Sequence, residues 1–204
     1  DNTTFFNLTF AGGAYTYTFA RASGFDSNCY VYGTATYGNN ITIVQSFGSQ
    51  CQVMIFNSTD NATPLIVGTG ITWNTQMAHY LLNNADAITT KINAGTYNTI
   101  WLGNNSSPWT CTFSLQGALV LKSLNTYYSY ANCTHIVNTN NYAITASGDV
   151  QILKGDLGGT TTFNAGTSTI TTTGTGAFVL NTTCVYSGAN ATLAIAGNFT
   201  SAGT

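Results

Sequence analysis

Eleven asparagines in this chain stand two residues before a Ser or Thr: Asn2, Asn7, Asn40, Asn57, Asn61, Asn104, Asn105, Asn132, Asn181, Asn190 and Asn198. The carboxamide of such a triplet is the acceptor for N-linked glycan, and a glycan must face water. With 23 Asn, and 51 Ser or Thr among 204 residues, chance placement gives about six triplets, so the excess is modest. Asn104 and Asn105 overlap and are not expected to be occupied together. Pro64 stands just after the Asn61 triplet and should hinder that one.

Thiols are the second reactive set. Cys29, Cys51, Cys111, Cys133 and Cys184 contain no Cys-X-X-Cys pair, and neither His79 nor His135 stands at zinc-site spacing. No metal and no cofactor is expected beyond N-linked glycans. In an oxidising compartment disulfides are expected. Cys29 to Cys51 and Cys111 to Cys133 are both 22 residues apart, which suggests two local bridges and leaves Cys184 over as a buried thiol.

Catalysis finds little support. Two Asp-Thr/Ser-Gly loops, a glutamate for a glycosidase pair and a Gly-X-Ser-X-Gly elbow are all missing. His79 and His135 could each act as a base, but a structural role suits them better. Cys184 has no cationic neighbour to activate it. The chain reads as a non-enzyme. A sugar-binding groove remains open, with Trp73, Trp101 and Trp109 as first suspects and core packing as the plainer role for them.

Charge narrows the partners. Only four Lys or Arg and six Asp are present, with no Glu, for a net charge of −2. A typical soluble domain is about a quarter charged. Nothing here forms a footprint for nucleic acid or an anionic membrane. No apolar run approaches the ~20 residues that span a bilayer. The chain opens at Asp1 without a basic-then-apolar leader, which is expected of an exported protein after signal-peptide removal. Sugar and hydroxyls would then keep it soluble outside the cell. Six carboxylates leave little to protonate, so stability is expected to vary weakly between pH 7 and pH 3.

The elements that would carry these groups are short strands. Alternating apolar residues mark 14–22, 29–37, 41–47, 52–56, 65–73, 96–102, 110–121, 126–137, 142–153, 160–170, 177–186 and 191–199, separated by Gly, Asn and Asp clusters. Such spacing predicts an all-β sandwich or barrel. Met77, Leu81, Ala85, Ile88 and Ile92 fall at helical spacing between Asn74 and Gly95, which predicts one short helix. Thr160 to Thr175 could be an O-glycosylated stalk, but Phe163 and Ile170 within it favour strand with an outer threonine ladder.

The N-terminus is the most distinctive segment. Thr4, Phe5, Phe6, Asn7, Leu8, Thr9 and Phe10 read as one strand ending in a Gly12-Gly13 hinge. Strand alternation puts Phe6, Leu8 and Phe10 on one face and Asn7 on the other, so a glycan on Asn7 makes Phe6, Leu8 and Phe10 the buried set. Either this strand opens its own sheet, or it completes the sheet of a neighbouring copy by donor-strand complementation.

In this strand, its composition and its sequons the chain resembles the subunits of archaeal threads, glycosylated extracellular filaments similar in architecture to chaperone–usher pilins. The resemblance implies an immunoglobulin-like or pilin-like β-sandwich completed by a strand from a neighbouring subunit. Residues 1–13 would be the tail and 14–204 the head, and the copies would join head to tail in an adhesive or biofilm filament. Two other classes stay open: a secreted carbohydrate-binding sandwich and a surface-layer subunit.

Overall fold

The computed structural model describes residues 3–19, 28–45, 53–58, 63–74, 78–83, 85–104, 108–128, 132–153, 159–188 and 190–203. Asn2, Cys51, Asn61, Met77 and Asn105 lie outside the described residues. The strands come in threes. The first coil is β1 (Thr3–Phe5), β2 (Leu8–Phe10) and β3 (Thr16–Phe19); the second is β4 (Asn28–Val31), β5 (Ala35–Tyr37) and β6 (Thr42–Gln45). The third is β7 (Val53–Ser58), β8 (Leu65–Val67) and β9 (Thr72–Asn74); the fourth is β10 (Ala78–Asn83), β11 (Thr89–Ile92) and β12 (Gly95–Thr96). The fifth is β13 (Thr99–Gly103), β14 (Thr110–Leu115) and β15 (Leu119–Leu121); the sixth is β16 (Ser123–Tyr128), β17 (Thr134–Asn138) and β18 (Ile144–Ala146). The seventh is β19 (Val150–Ile152), β20 (Thr160–Asn164) and β21 (Thr169–Thr172). The eighth is β22 (Phe178–Leu180), β23 (Cys184–Ser187) and β24 (Thr192–Ala194), and β25 (Phe199–Ser201) adds one strand beyond it.

Apart from β11 and β12, each strand from β4 on pairs with the one three before it, and every pairing among the described residues is parallel. The first face is a nine-stranded sheet running from β1 through β4, β7 and so on to β25. The second and third faces are each split, into three strands (β2-β5-β8, β3-β6-β9) and five strands (β11 to β23, β12 to β24). The chain is therefore a stack of coils, a parallel β-solenoid, in which each coil contacts mainly its neighbours.

This overturns the pilin-like sandwich and the thread resemblance that implied it. A sandwich is built of antiparallel hairpins, whereas here no strand pairs with the next in sequence. The N-terminal segment is not one strand. It bends at Phe6 and Asn7 into β1, which pairs with β4, and β2, which pairs with β5, so its sheet partners lie in its own chain. Phe10 is buried and stacks on Tyr37 at 4.6 Å, while Phe6 is 74 % exposed and Leu8 half-buried. The expected tail and head thus belong to one stack.

Gly12 and Gly13 are a corner rather than a hinge. Gly12, Gly38 and Gly68 follow one another up the stack, and a Cβ on Gly38 would sit 2.2 Å from the backbone nitrogen of Gly12. Only glycine lets the coils approach so closely there.

The expected helix is absent too. Asn74 closes β9, Leu81 lies in β10, Ile92 in β11, and Ala85 and Ile88 in the turn region between those two strands. The long strands read over 65–73, 110–121, 142–153 and 160–170 each divide into two, because a coil must turn a corner every few residues. The threonine-rich segment forms β20 and β21 around a turn at Gly166 and Thr167, with Thr161 and Thr172 turned inward.

Inward side chains stack in columns. On the first face His79, Ile100, Leu124, Val150 and Phe178 are register partners in succession. On the second, Thr90, Phe113, Val137, Phe163 and Tyr186 follow one another. Leu119, Ile144, Ile170 and Leu193 fill the third. Burying each large apolar member contributes roughly 1.5–3 kcal/mol, which is what holds coils of such short strands together.

Corners draw on asparagine and aspartate. Side-chain oxygens of Asn7, Asn39, Asp86, Asn141 and Asp149 accept the backbone N–H of Thr34, Thr69, Thr110, Thr167 and Ala177 in the next coil, at 2.8–2.9 Å. Asn40, Asn132, Asn140 and Asn141 take left-handed backbone angles that asparagine tolerates. Much of the asparagine content is thereby structural.

Candidate functional site

The split in the second and third faces falls between the third and fourth coils, where only the first face, through β7 and β10, is continuous. At this seam Trp73 of β9 takes over from the missing ladder: its indole N–H donates to the carbonyl of Thr96 in β12 at 2.9 Å. The ring packs edge-on to Tyr37 and His79, both at 5.1 Å between centroids. A backbone carbonyl and two core rings therefore fix the indole.

Beside it opens a groove of about 410 Å³. Its walls climb the stack through Thr96, Val120 and Thr145, which are register partners on the third face, and through Asn98, Lys122, Ser147 and Thr173 at the following corner. Backbone bonds knit that corner, with Lys122 N–H on the Asn98 carbonyl at 3.1 Å and Ser147 N–H on the Leu121 carbonyl at 2.9 Å. The groove spans the third to seventh coils, a length of ~19 Å at ~4.8 Å per coil. Val120 is 49 % exposed, and Lys122 is exposed and, among the described residues, the only charged one in the lining. The surface thus offers a held indole, an aliphatic step, hydroxyls and one cation. Among the described lining residues there is no carboxylate.

The three tryptophans do not form one site. Trp73 is in the groove, Trp101 stacks flat on Tyr80 at 5.4 Å on the first face, and Trp109 packs half-buried before β14. The other groove residues were missed in the sequence. Asn98, Lys122, Ser147 and Thr173 stand 24 to 26 residues apart, but they are of four different types, so the sequence carried no repeat that would have joined them.

Both histidines are core residues. His79 is enclosed by Tyr37, Phe56 and Trp73, and the Tyr37 hydroxyl lies 3.3 Å from its Nε2. Burial lowers its pKa to about 4, with a partial offset from the Thr99 backbone. Burial lowers His135 to about 4 as well, and its Nε2 has no hydrogen-bond partner among the described residues. Tyr37, buried beside His79, stays protonated because burial raises its pKa well above the usual value, with Cys29 adding to the shift. Neither imidazole reaches solvent to act as a base.

Among the described residues no group of three His, Cys, Asp or Glu could hold a metal ion, and no helix is long and apolar enough to cross a membrane. Cys29 is half-buried in β4 and its expected partner Cys51 is outside the described residues; Cys184 is buried in β23.

The sequons differ in access. Asn7, Asn40, Asn132, Asn190 and Asn198 are exposed and Asn181 is half-buried. Asn57 lies in β7, and Asn104 is fully buried. A glycan attaches through Nδ2, so Asn7 can carry one while its Oδ1 keeps the bond to Thr34. Glycopeptide mapping of protein from a glycosylating host should find sugar on the exposed five and none on Asn104. A folded protein with glycan on Asn104 would contradict this placement.

Comparison with protein-family models, curated proteins and solved structures gives no match to this chain.

Proposed function

We propose that the chain is a non-catalytic structural and adhesive glycoprotein of the cell exterior, a solenoid rod that holds an extended polysaccharide along its third face. The groove from Trp73 to Thr173 carries this reading. A fixed indole edge, an exposed valine and a row of hydroxyls suit the mixed apolar and polar faces of sugar rings. A groove that runs across five coils suits a polymer better than a compact ligand. Lys122, unopposed by any carboxylate among the described lining residues, favours chains bearing carboxylate groups. Exposed sequons and sparse charge support an extracellular setting. Donor-strand assembly is no part of the proposal, since β1 and β2 already pair with β4 and β5.

Affinity electrophoresis against polygalacturonate and against dextran tests it. Wild type should be retarded by polygalacturonate, more weakly at high salt. Trp73→Ala should lose at least ~10-fold in affinity, the equivalent of about 1.4 kcal/mol. Lys122→Ala, at an exposed position, should remove the salt dependence while the fold stays intact. Retardation by neither polymer, or unchanged retardation in both variants, overturns the proposal.

A further inference from the structure

Two thiols of neighbouring coils meet at one buried carboxamide. Cys111 points inward from β14 of the fifth coil, and Cys133 lies just before β17 of the sixth, one coil up on the same side. Both are buried. The Cys133 thiol donates to Oδ1 of Asn104 at 2.9 Å; Asn104 also favours the Cys111 thiolate, and the Cys111 thiol donates to the Asn83 carbonyl at 4.0 Å. β14 and β17 pair directly, with Cys111 the register partner of His135, two residues beyond Cys133.

We propose that Cys111 and Cys133 form a disulfide that staples the fifth coil to the sixth. Asn104 holds the pair in its reduced form and is buried for that reason rather than presented as a sequon. The oxidant is a low-molecular-weight disulfide such as glutathione disulfide. One cysteine thiolate attacks a sulfur of the oxidant and expels one thiolate; the second cysteine then attacks the mixed disulfide and expels the other. The chain loses two protons and two electrons, and the oxidant is reduced to two thiols.

Burial, then the neighbouring Cys133 and Asp86, push the Cys111 thiol up to about 12, with Asn104 opposing them. Thiolate is therefore scarce at this cysteine in the closed stack, which favours bond formation while the coils are still docking. Once formed, the bond is shielded from reductants by the same packing.

The test needs no assumption about where the protein resides or what it binds. Purified full-length chain is refolded in a reduced/oxidised glutathione buffer, alkylated without reduction and mapped by peptide mass. A linked Cys111–Cys133 peptide is expected, absent from Cys111→Ser and from Cys133→Ser. The oxidised chain should melt higher than the Cys111→Ser/Cys133→Ser variant, by on the order of 10 °C for a loop of this size. Full alkylation of Cys111 and Cys133 in the refolded wild type overturns the proposal. So does either cysteine linking to a different one while the double variant folds normally.

Discussion

Taking the protein from pH 7 to pH 4 should cost on the order of 6 kcal/mol of stability, and His79 and His135 are the cause. Each is buried, and burial holds each imidazole neutral down to about pH 4 against 6.5 for a free one. Above pH 6.5 folded and unfolded chains both carry neutral imidazoles and nothing changes. Below it the unfolded chain gains two protons that the folded chain refuses. Stability therefore falls as pH drops through the window from 6.5 to about 4, and these two groups contribute no further slope below it. At about 1.4 kcal/mol per pKa unit, each accounts for roughly 3 kcal/mol. That is a large share of the 5–15 kcal/mol typical of a domain. Urea midpoints at pH 7 and pH 4 give the measurement. His135→Leu, which removes a group whose Nε2 is unbonded, should recover about half of the loss. Equal midpoints at the two pH values would rule the account out. The sequence pointed the other way, because counting six carboxylates gave no weight to where two histidines sit.

Strands were legible and their partners were not. Alternation of apolar and polar residues marked nearly every segment that became a strand, since one side of each strand faces the interior in a sandwich and in a solenoid alike. What distinguishes the two is which strand pairs with which. Here the repeat is one of length rather than of residues, and even the length wanders: Ala78 pairs with Thr99 and Ala35 with Leu65, offsets of 21 and 30 residues. With no signature residue recurring per coil, the period stayed hidden beneath turn signals that suit hairpins equally well. Met77, Leu81, Ala85, Ile88 and Ile92 show how the error arose. Leu81 in β10 and Ile92 in β11 are separated by a corner at 85–88 that contains Ala85 and Ile88, so the spacing of three and four arises across a turn by accident. The groove at Trp73 followed the same fate, because its residues come from five coils and are adjacent only after stacking. Asn104 reads as a sequon, and nothing local to it reveals two thiols from the fifth and sixth coils.

The columns themselves make the sharpest prediction about the fold. Phe163 is fully buried on the second face, between Val137 below and Tyr186 above, and its ring stacks on Tyr186 at 6.0 Å and meets Phe178 edge-on at 6.5 Å. Phe199 is a register partner of Phe178 and stacks on it at 5.8 Å, but it lies in the last strand and is 56 % exposed. Truncation at the two sites removes the same atoms from different surroundings. Phe163→Ala opens a cavity walled on both sides by ordered coils that cannot collapse without breaking ladder hydrogen bonds, and should cost about 3–5 kcal/mol. Phe199→Ala exposes the outer side of one coil that water already reaches, and should cost about 1 kcal/mol or less. The contrast belongs to a stack, in which stability is a sum of coil terms and contacts between nearest neighbours. Losing Phe163 weakens two such contacts in the interior, and losing Phe199 weakens one at the edge. Urea denaturation of both variants at pH 7, where the histidines are silent, isolates this term. Comparable losses at the two positions would mean that the eighth coil is covered rather than open, and a loss below about 1 kcal/mol at Phe163 would mean that the columns do not carry the fold.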